Sequence, residues 1–299
     1  MRVTEVVDDY LFAWILAAVA LGVAQPRLAV VADFSAPILA VMVGSVSLTL
    51  SADRFRAVDR SALGRILVGH VTMPAVAFAV ARALGLGPDL VAGFVLLGAV
   101  TPELVTPTMT ALSDGDTALA STALVVIGAG STIFTPVAVT LLLGSGVEID
   151  GWRIAESLLV AVVVPMVLAV GVRTRYDRRV GTYEEYYASV SAVMVILIIG
   201  GVTAANADLI RTETDLLVSV GAGALAVNLA GYALGWIGTR SADGPARVAG
   251  TLSVGMRDFA VAAALVTAAG FPASASLPAV LFGVVEMATS AVLARRFAD

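Results

Sequence analysis

Ten apolar stretches, each bounded by charges, proline or glycine, divide this chain of 299 residues: 10–24, 34–50, 63–84, 88–113, 116–144, 152–174, 184–206, 213–238, 245–269 and 275–296. A helix needs roughly 20 apolar residues to cross a hydrocarbon layer about 30 Å thick, and most of these stretches reach that length. Lipid offers the backbone no water to bond, so stretches of this kind fold as helices. Hydrophobic residues make up 59% of the chain and charged ones 14%, and the charges collect between the stretches. The expectation is an all-α, multi-pass protein of the cell membrane, with the lipid bilayer as its first partner and nothing that points to nucleic acid.

Arginine placement orients it. All 18 basic residues are arginine. The termini and even-numbered loops hold thirteen: Arg2, Arg54, Arg56, Arg60, Arg65, Arg173, Arg175, Arg178, Arg179, Arg240, Arg247, Arg295 and Arg296. The odd-numbered loops hold four, Arg27, Arg82, Arg153 and Arg211. That bias puts both termini in the cytoplasm and requires an even number of spans. Asp8 and Asp9 precede the first stretch where a signal peptide carries positive charge, so 10–24 reads as a retained helix.

Weak internal similarity halves the chain. Ala17–Val23 with Arg27 matches Met166–Val172 with Arg175, and Val41-Met42-Val43 matches Val193-Met194-Val195. Five spans per half would invert the second copy, 151–299, relative to the first, 1–150, a recurrent transporter design with its site at the repeat interface. That design calls for interrupted helices at corresponding places. The fourth stretch carries Thr101-Pro102-Glu103-Leu104-Val105-Thr106-Pro107-Thr108, with two helix-breaking prolines and an acid. About 150 residues later the ninth carries Thr251-Leu252-Ser253-Val254-Gly255-Met256-Arg257-Asp258, two opposite charges inside an apolar run. An arginine at such depth costs roughly 2.5–3.5 kcal/mol on insertion scales and needs a partner.

Pro37–Leu50, ending Val46-Ser47-Leu48-Thr49-Leu50, is similar to the second helix of the bile acid:sodium symporter family, which usually ends Gly-Leu-Thr-Leu. Asp114–Ala120 resembles its turn into helix five, Asn228-Leu229-Ala230-Gly231-Tyr232-Ala233-Leu234-Gly235 its Asn-x-x-Gly-Tyr-x-x-Gly signature, and Val254-Gly255-Met256 with Phe259–Leu265 its ninth-helix motif. The family lies within a larger bile/arsenite/riboflavin transporter group. The resemblance implies ten helices in two inverted five-helix repeats, a panel domain of helices 1, 2, 6 and 7, a core domain of helices 3–5 and 8–10, and discontinuous helices 4 and 9 crossing at the substrate cavity. It implies secondary transport of a small organic anion by alternating access. Sodium-binding members carry Glu-Val-Gly-Met-Gln-Asn where this chain has Ser253-Val254-Gly255-Met256-Arg257-Asp258, and their helix-four Ser-Asn pair falls on Thr106-Pro107. Two oxygen ligands are thus lost and a fixed cation gained. Coupling to protons, or to no ion, is the expectation, with sodium symport the alternative and a passive pore a further one.

Several readings stay open for the individual residues. Arg257 reads as a tethered cation in place of sodium, as a clamp for an anionic substrate, or as half of a structural ion pair. Asp258 and Glu103 are its candidate partners and candidate proton carriers. Glu286 joins the network or sits on the surface of a shorter helix. Thr106, Thr108 and Ser253 supply hydroxyl ligands or simply satisfy helix carbonyls; Asn228 bridges helices; His70 relays protons or packs. Gly231 and Gly235 form a small-xxx-small pair for close helix contact. Without cysteine there are no disulfides or thiolate metal sites, and an arsenite exporter, which needs a helix-four cysteine, is disfavoured. No nucleophile–base set, metal motif or nucleotide loop marks an enzyme, and no cofactor beyond a coupling ion is called for.

Overall fold

The computed structural model describes residues 10–50, 58–144 and 150–298. The stretch before Tyr10 and the arginines at 2, 54 and 56 lie outside them. Among the described residues every regular element is helical. In chain order these are α1 (Leu11–Ala24), a 3-10 stretch Pro26–Phe34, α2 (Ser35–Ser47), α3 (Arg60–Ala83), α4 (Pro88–Ala99), α5 (Thr106–Leu112) and α6 (Thr117–Leu143). Then come α7 (Gly151–Leu158), a π-helical turn Leu159–Val163, α8 (Val164–Arg175), α9 (Asp177–Gly181), α10 (Glu184–Ala205) and α11 (Ala207–Thr212). The chain closes with α12 (Thr214–Gly238), α13 (Gly244–Gly255), α14 (Phe259–Ala268), a 3-10 turn Ala273–Ser276 and α15 (Leu277–Ala298).

Among the described residues eight helical segments are long and apolar enough to cross a membrane, and this is an all-α membrane protein. Two of the ten expected stretches are shorter apolar helices, Leu11–Ala24 and Pro88–Ala99. The second span begins earlier than its charges suggest. Pro26 opens a 3-10 stretch that runs into α2, so the expected loop at 25–33 is largely helical. Proline in the first turn loses no hydrogen bond, and its fixed φ favours such a start.

Aspartates start the helices. Asp59, Asp116, Asp150, Asp243 and Asp258 each accept a backbone N–H of the helix that follows, satisfying donors that the first turn leaves free. The first four are exposed or half-buried, whereas Asp258 is fully buried. The π turn lies just before Pro165, where a wider turn accommodates a residue that cannot donate.

Helix α10 packs along α1, the Pro26–Phe34 stretch and α2, and α2 also meets α8. Helix α3 packs on α4, α12 and α6, while α12 packs on α13 and α15, and α14 and α15 reach across to α10. Glycine sets the closest of these approaches. A Cβ on Gly235 would lie 2.3 Å from the Gly250 carbonyl oxygen, and one on Gly231 would lie 2.7 Å from Gly255 Cα, as the small-xxx-small spacing in α12 requires. The apolar window of Gly244–Ala268 is wholly buried, while the other seven candidate spans leave part of theirs unburied. The chain has enclosed its most polar span.

Candidate functional site

Both expected interruptions are present, and they touch. Helix α4 stops at Ala99, Val100 turns extended, and α5 starts at Thr106. Helix α13 stops at Gly255, Met256 turns extended, and α14 starts at Phe259. Pro102 and Pro107 bar a continuous helix in the first segment. In the second, the Asp258 side chain competes for the amides of a new helix start, its Oδ1 accepting from Val261 N at 2.8 Å.

Backbone groups freed at membrane depth must find partners inside the protein. At the first break the Ala99 carbonyl accepts from Thr135 Oγ1 of α6 at 2.9 Å, Val100 O from Arg257 Nη1 at 3.2 Å, and Thr101 O from Asp258 N at 3.0 Å. At the second, Gly255 O accepts from Asn228 Nδ2 at 3.2 Å and Arg257 N donates to Glu286 Oε2 at 2.8 Å. Asn228 Oδ1 in turn accepts from Thr289 Oγ1 at 2.7 Å. Asn228 therefore bridges α12, α13 and α15, as the structural reading of that residue holds.

Charge gathers where the breaks meet. Arg257, Asp258 and Glu286 are fully buried and Glu103 is 4% exposed. Glu103 lies within electrostatic reach of Asp258 and Glu286, and Glu286 of Asp258 and Arg257. The amides of Leu104 and Phe259, one from each break, face the Glu103 carboxylate. Arg257 Nη1 also meets His70 Nδ1 of α3. No ion pair is made by the Arg257 guanidinium among the described residues. Seven buried atoms around this junction have no hydrogen-bond partner there: Arg257 Nε and Nη2, Asp258 Oδ2, Glu103 Oε2, Glu286 Oε1, Ser253 Oγ and His70 Nε2. Buried polar atoms without partners are rare and costly, so this concentration marks a place built to meet something.

Thr106 is buried with its Oγ1 3.9 Å from Met256 Sδ, so it too sits between the breaks. Ser253 is buried one turn before Arg257. Thr108 is exposed on α5 and does not join the cluster. His70, read from the sequence as a proton relay or a packing residue, lies at the junction, and the residues beyond the expected set are Thr135 and Thr289. Each is a polar residue in an apolar run, but nothing in the sequence singles out which of many threonines closes the Ala99 carbonyl or steadies Asn228. Among the described residues no three His, Asp or Glu side chains converge closely enough to hold a metal ion.

Residues 36–213 match the Sodium Bile acid symporter family. The chain belongs to that family. The match covers more than half the sequence and includes the first break. Proteins similar to the chain include the "Uncharacterized sodium-dependent transporter YocS" of Bacillus subtilis (strain 168), which is 26% identical over 288 residues, 94% of this chain and 88% of the relative. They also include the "Probable sodium/metabolite cotransporter BASS3, chloroplastic" of Oryza sativa subsp. japonica, 28% identical over 190 residues, 62% of this chain and 45% of the relative. A counterpart of the same name from Arabidopsis thaliana is 28% identical over 188 residues, 62% of this chain and 43% of the relative. The symporter family and these relatives are transporters, not enzymes, and this chain is a transporter of that family.

Proposed function

We propose that the protein is a secondary transporter that moves a small organic anion by alternating access, with Arg257 as the fixed cation that receives it. The observation that carries this reading is a fully buried arginine without an ion pair among the described residues, held at the meeting point of two interrupted helices. Its Nε and Nη2 donors have no hydrogen-bond partner among the described residues, and unsatisfied guanidinium donors in a low-dielectric site favour an anion that can accept from both. Glu103, Thr106, Ser253, Asp258 and Glu286 surround it, and Asn228 braces the wall behind. Thr108, exposed on α5, is placed to meet solute on the approach rather than at the junction.

The architecture we propose is ten spans in two inverted repeats, residues 1–150 and 151–299, with both termini cytoplasmic. The packing of α10 chiefly with α1 and α2, and of α3 with α4, α6 and α12, supports a panel and a core moving against each other, with α14 and α15 touching both groups. The arginine bias supports the orientation.

Charge counting supports proton coupling. Three carboxylates and one arginine share the junction, so an incoming anion adds to an excess of negative charge unless a carboxylate takes up a proton as it binds. The two events are then linked, each favouring the other by the same factor. Sodium symport is the second reading, favoured by the sodium dependence in the names of the relatives. Against it stand Ser253, Arg257 and Asp258 in place of the family's Glu, Gln and Asn.

Uptake into proteoliposomes decides between them. With an inward proton gradient and no sodium, accumulation of organic anions is expected, and replacing potassium by sodium at fixed pH changes nothing. Accumulation that requires sodium would overturn the coupling proposal, and undiminished uptake by Arg257→Gln would overturn the role of the arginine.

A further inference from the structure

The guanidinium of Arg257 is used on one side only. Nη1 donates to His70 Nδ1 and to the Val100 carbonyl, the latter at 3.2 Å, while Nε and Nη2 are buried with no partner among the described residues. Nη1 lies on the Cδ side of the guanidinium plane. Nε and Nη2 share the opposite edge, whose two N–H groups point in parallel and match the two oxygens of a carboxylate. Glu286 stays off that edge: it gives one oxygen to the Arg257 backbone N–H at 2.8 Å and makes no ion pair with the side chain.

What fixes the plane is His70. An arginine only donates, so His70 Nδ1 accepts, and the imidazole is the neutral tautomer with its proton on Nε2. The ring is held in turn. Its centroid is 5.3 Å from that of Phe134 on α6, tilted by 51°. Gly69 lets α3 approach α13 closely, since a Cβ there would lie 2.9 Å from Val254 Cγ2. These contacts bring an acceptor on α3 to a guanidinium 187 residues away in sequence.

We propose that His70 is a positioning residue that holds Arg257 by Nη1, so that the Nε/Nη2 edge is presented as a two-point dock for the carboxylate of the transported anion. This rests on the reading of Arg257 as the anion receptor and adds the substrate's headgroup class and the residue that orients its receptor. A point charge in the same place would attract any anion. An edge locked in one plane favours a carboxylate that can approach along that plane.

The test is ligand-induced thermal stabilisation of purified full-length protein, since a ligand bound to the native state raises its melting temperature by mass action. The probes are potassium acetate, lactate and benzoate, set against potassium methanesulfonate and benzenesulfonate. Wild type, Arg257→Gln, His70→Leu and His70→Asn are compared. Asparagine places its amide oxygen where Nδ1 sits, one bond short of where glutamine would, so it restores the acceptor without the ring. The expected result is stabilisation of wild type by carboxylates in preference to sulfonates, loss of it in Arg257→Gln, affinity about tenfold weaker in His70→Leu, and near wild-type affinity in His70→Asn. A merely structural His70 gives the reverse order. Leucine fills the space against Phe134 better than asparagine, so it would keep more stability and equal or better binding.

Carboxylate-induced stabilisation that survives in Arg257→Gln sinks the receptor reading and this inference with it. Stabilisation lost in Arg257→Gln but unchanged in His70→Leu leaves the receptor standing and overturns the role of His70. A wild type stabilised equally by sulfonates, or by no carboxylate in the series, overturns the headgroup assignment. Should His70→Leu fail to fold, the ratio of His70→Asn to His70→Gln affinities carries the comparison: equal affinities, or stronger binding by glutamine, reject positioning through Nδ1.

Discussion

The backbone N–H of Asp258 donates to the Thr101 carbonyl at 3.0 Å, so the two interrupted helices are joined backbone to backbone at their breaks. The same residue caps α14 through its side chain. One aspartate therefore closes the second interruption and ties it to the first. Asp258→Ala should lower unfolding stability in detergent by about 1 kcal/mol, the usual worth of an N-cap. Asp258→Asn keeps the acceptor and should cost clearly less. Equal losses for the two would show that charge, not capping, is what Asp258 contributes to the fold.

Asn228 is the partner on the other side. It is fully buried, and its removal leaves the Gly255 carbonyl and the Thr289 hydroxyl each short of one bond. Asn228→Ala is expected to destabilise by roughly 1–3 kcal/mol. A melting temperature indistinguishable from wild type would mean that water or a neighbouring side chain takes over both bonds.

Close packing of α12 on α13 gives a paired prediction. Gly235→Ala pushes a methyl group into the Gly250 carbonyl at 2.3 Å and Thr251 Cα at 2.7 Å, atoms of backbone that cannot swing aside. A loss of about 1–3 kcal/mol follows from such overpacking. Gly221, in the same helix, has nothing within 4 Å of its Cβ position. Gly221→Ala should be neutral or stabilising by up to about 1 kcal/mol through helix propensity. The difference between the two melting temperatures is the quantity to read.

Glu286→Gln separates coupling from binding. Glutamine still offers an oxygen to the Arg257 N–H, so the fold and exchange of anion for anion should persist. Uptake driven by an inward proton gradient should fall toward its level without a gradient. Retained gradient-driven accumulation would move the proton to Glu103 or Asp258.

Restoring the family pattern reverses the argument about sodium. In the triple variant Ser253→Glu, Arg257→Gln, Asp258→Asn, the tethered cation is gone and a carboxylate is back. The expected outcome is sodium-dependent thermal stabilisation that the wild type lacks. If wild type responds to sodium as strongly as the variant, the guanidinium does not stand in for the ion.

The interruptions were legible because Pro102, Pro107, Gly255 and Asp258 disrupt a helix by chemistry that acts locally, whatever surrounds them. The small-xxx-small face of α12 was legible for the same reason. What stayed hidden depends on direction and distance. Nothing local says that His70 points toward a residue 187 positions later, because α3 could present that face to lipid or to any of several helices. Nor does the sequence distinguish Thr106, buried against Met256, from exposed Thr108 two residues on; in a helix as short as α5 they fall on opposite faces. The early start of the second span was open to reading, since Pro26 in a first turn is a recognised helix opening. The charge of Arg27 beside it suggested a loop instead.

The enclosed segment Gly244–Ala268 also sets the order in which the protein can be made. It is the least apolar of the eight candidate spans and carries Arg257 and Asp258 at its middle. Leaving the translocon alone, it would face lipid with two charges, each opposed by roughly 2.5–3.5 kcal/mol. Its stable residence therefore waits on the helices that wrap it: α12, already made, and α15, emerging last. Until α15 arrives with Glu286 to meet the Arg257 amide, the nascent chain holds an unfinished core, and truncations that end before α15 should be substrates for membrane quality control.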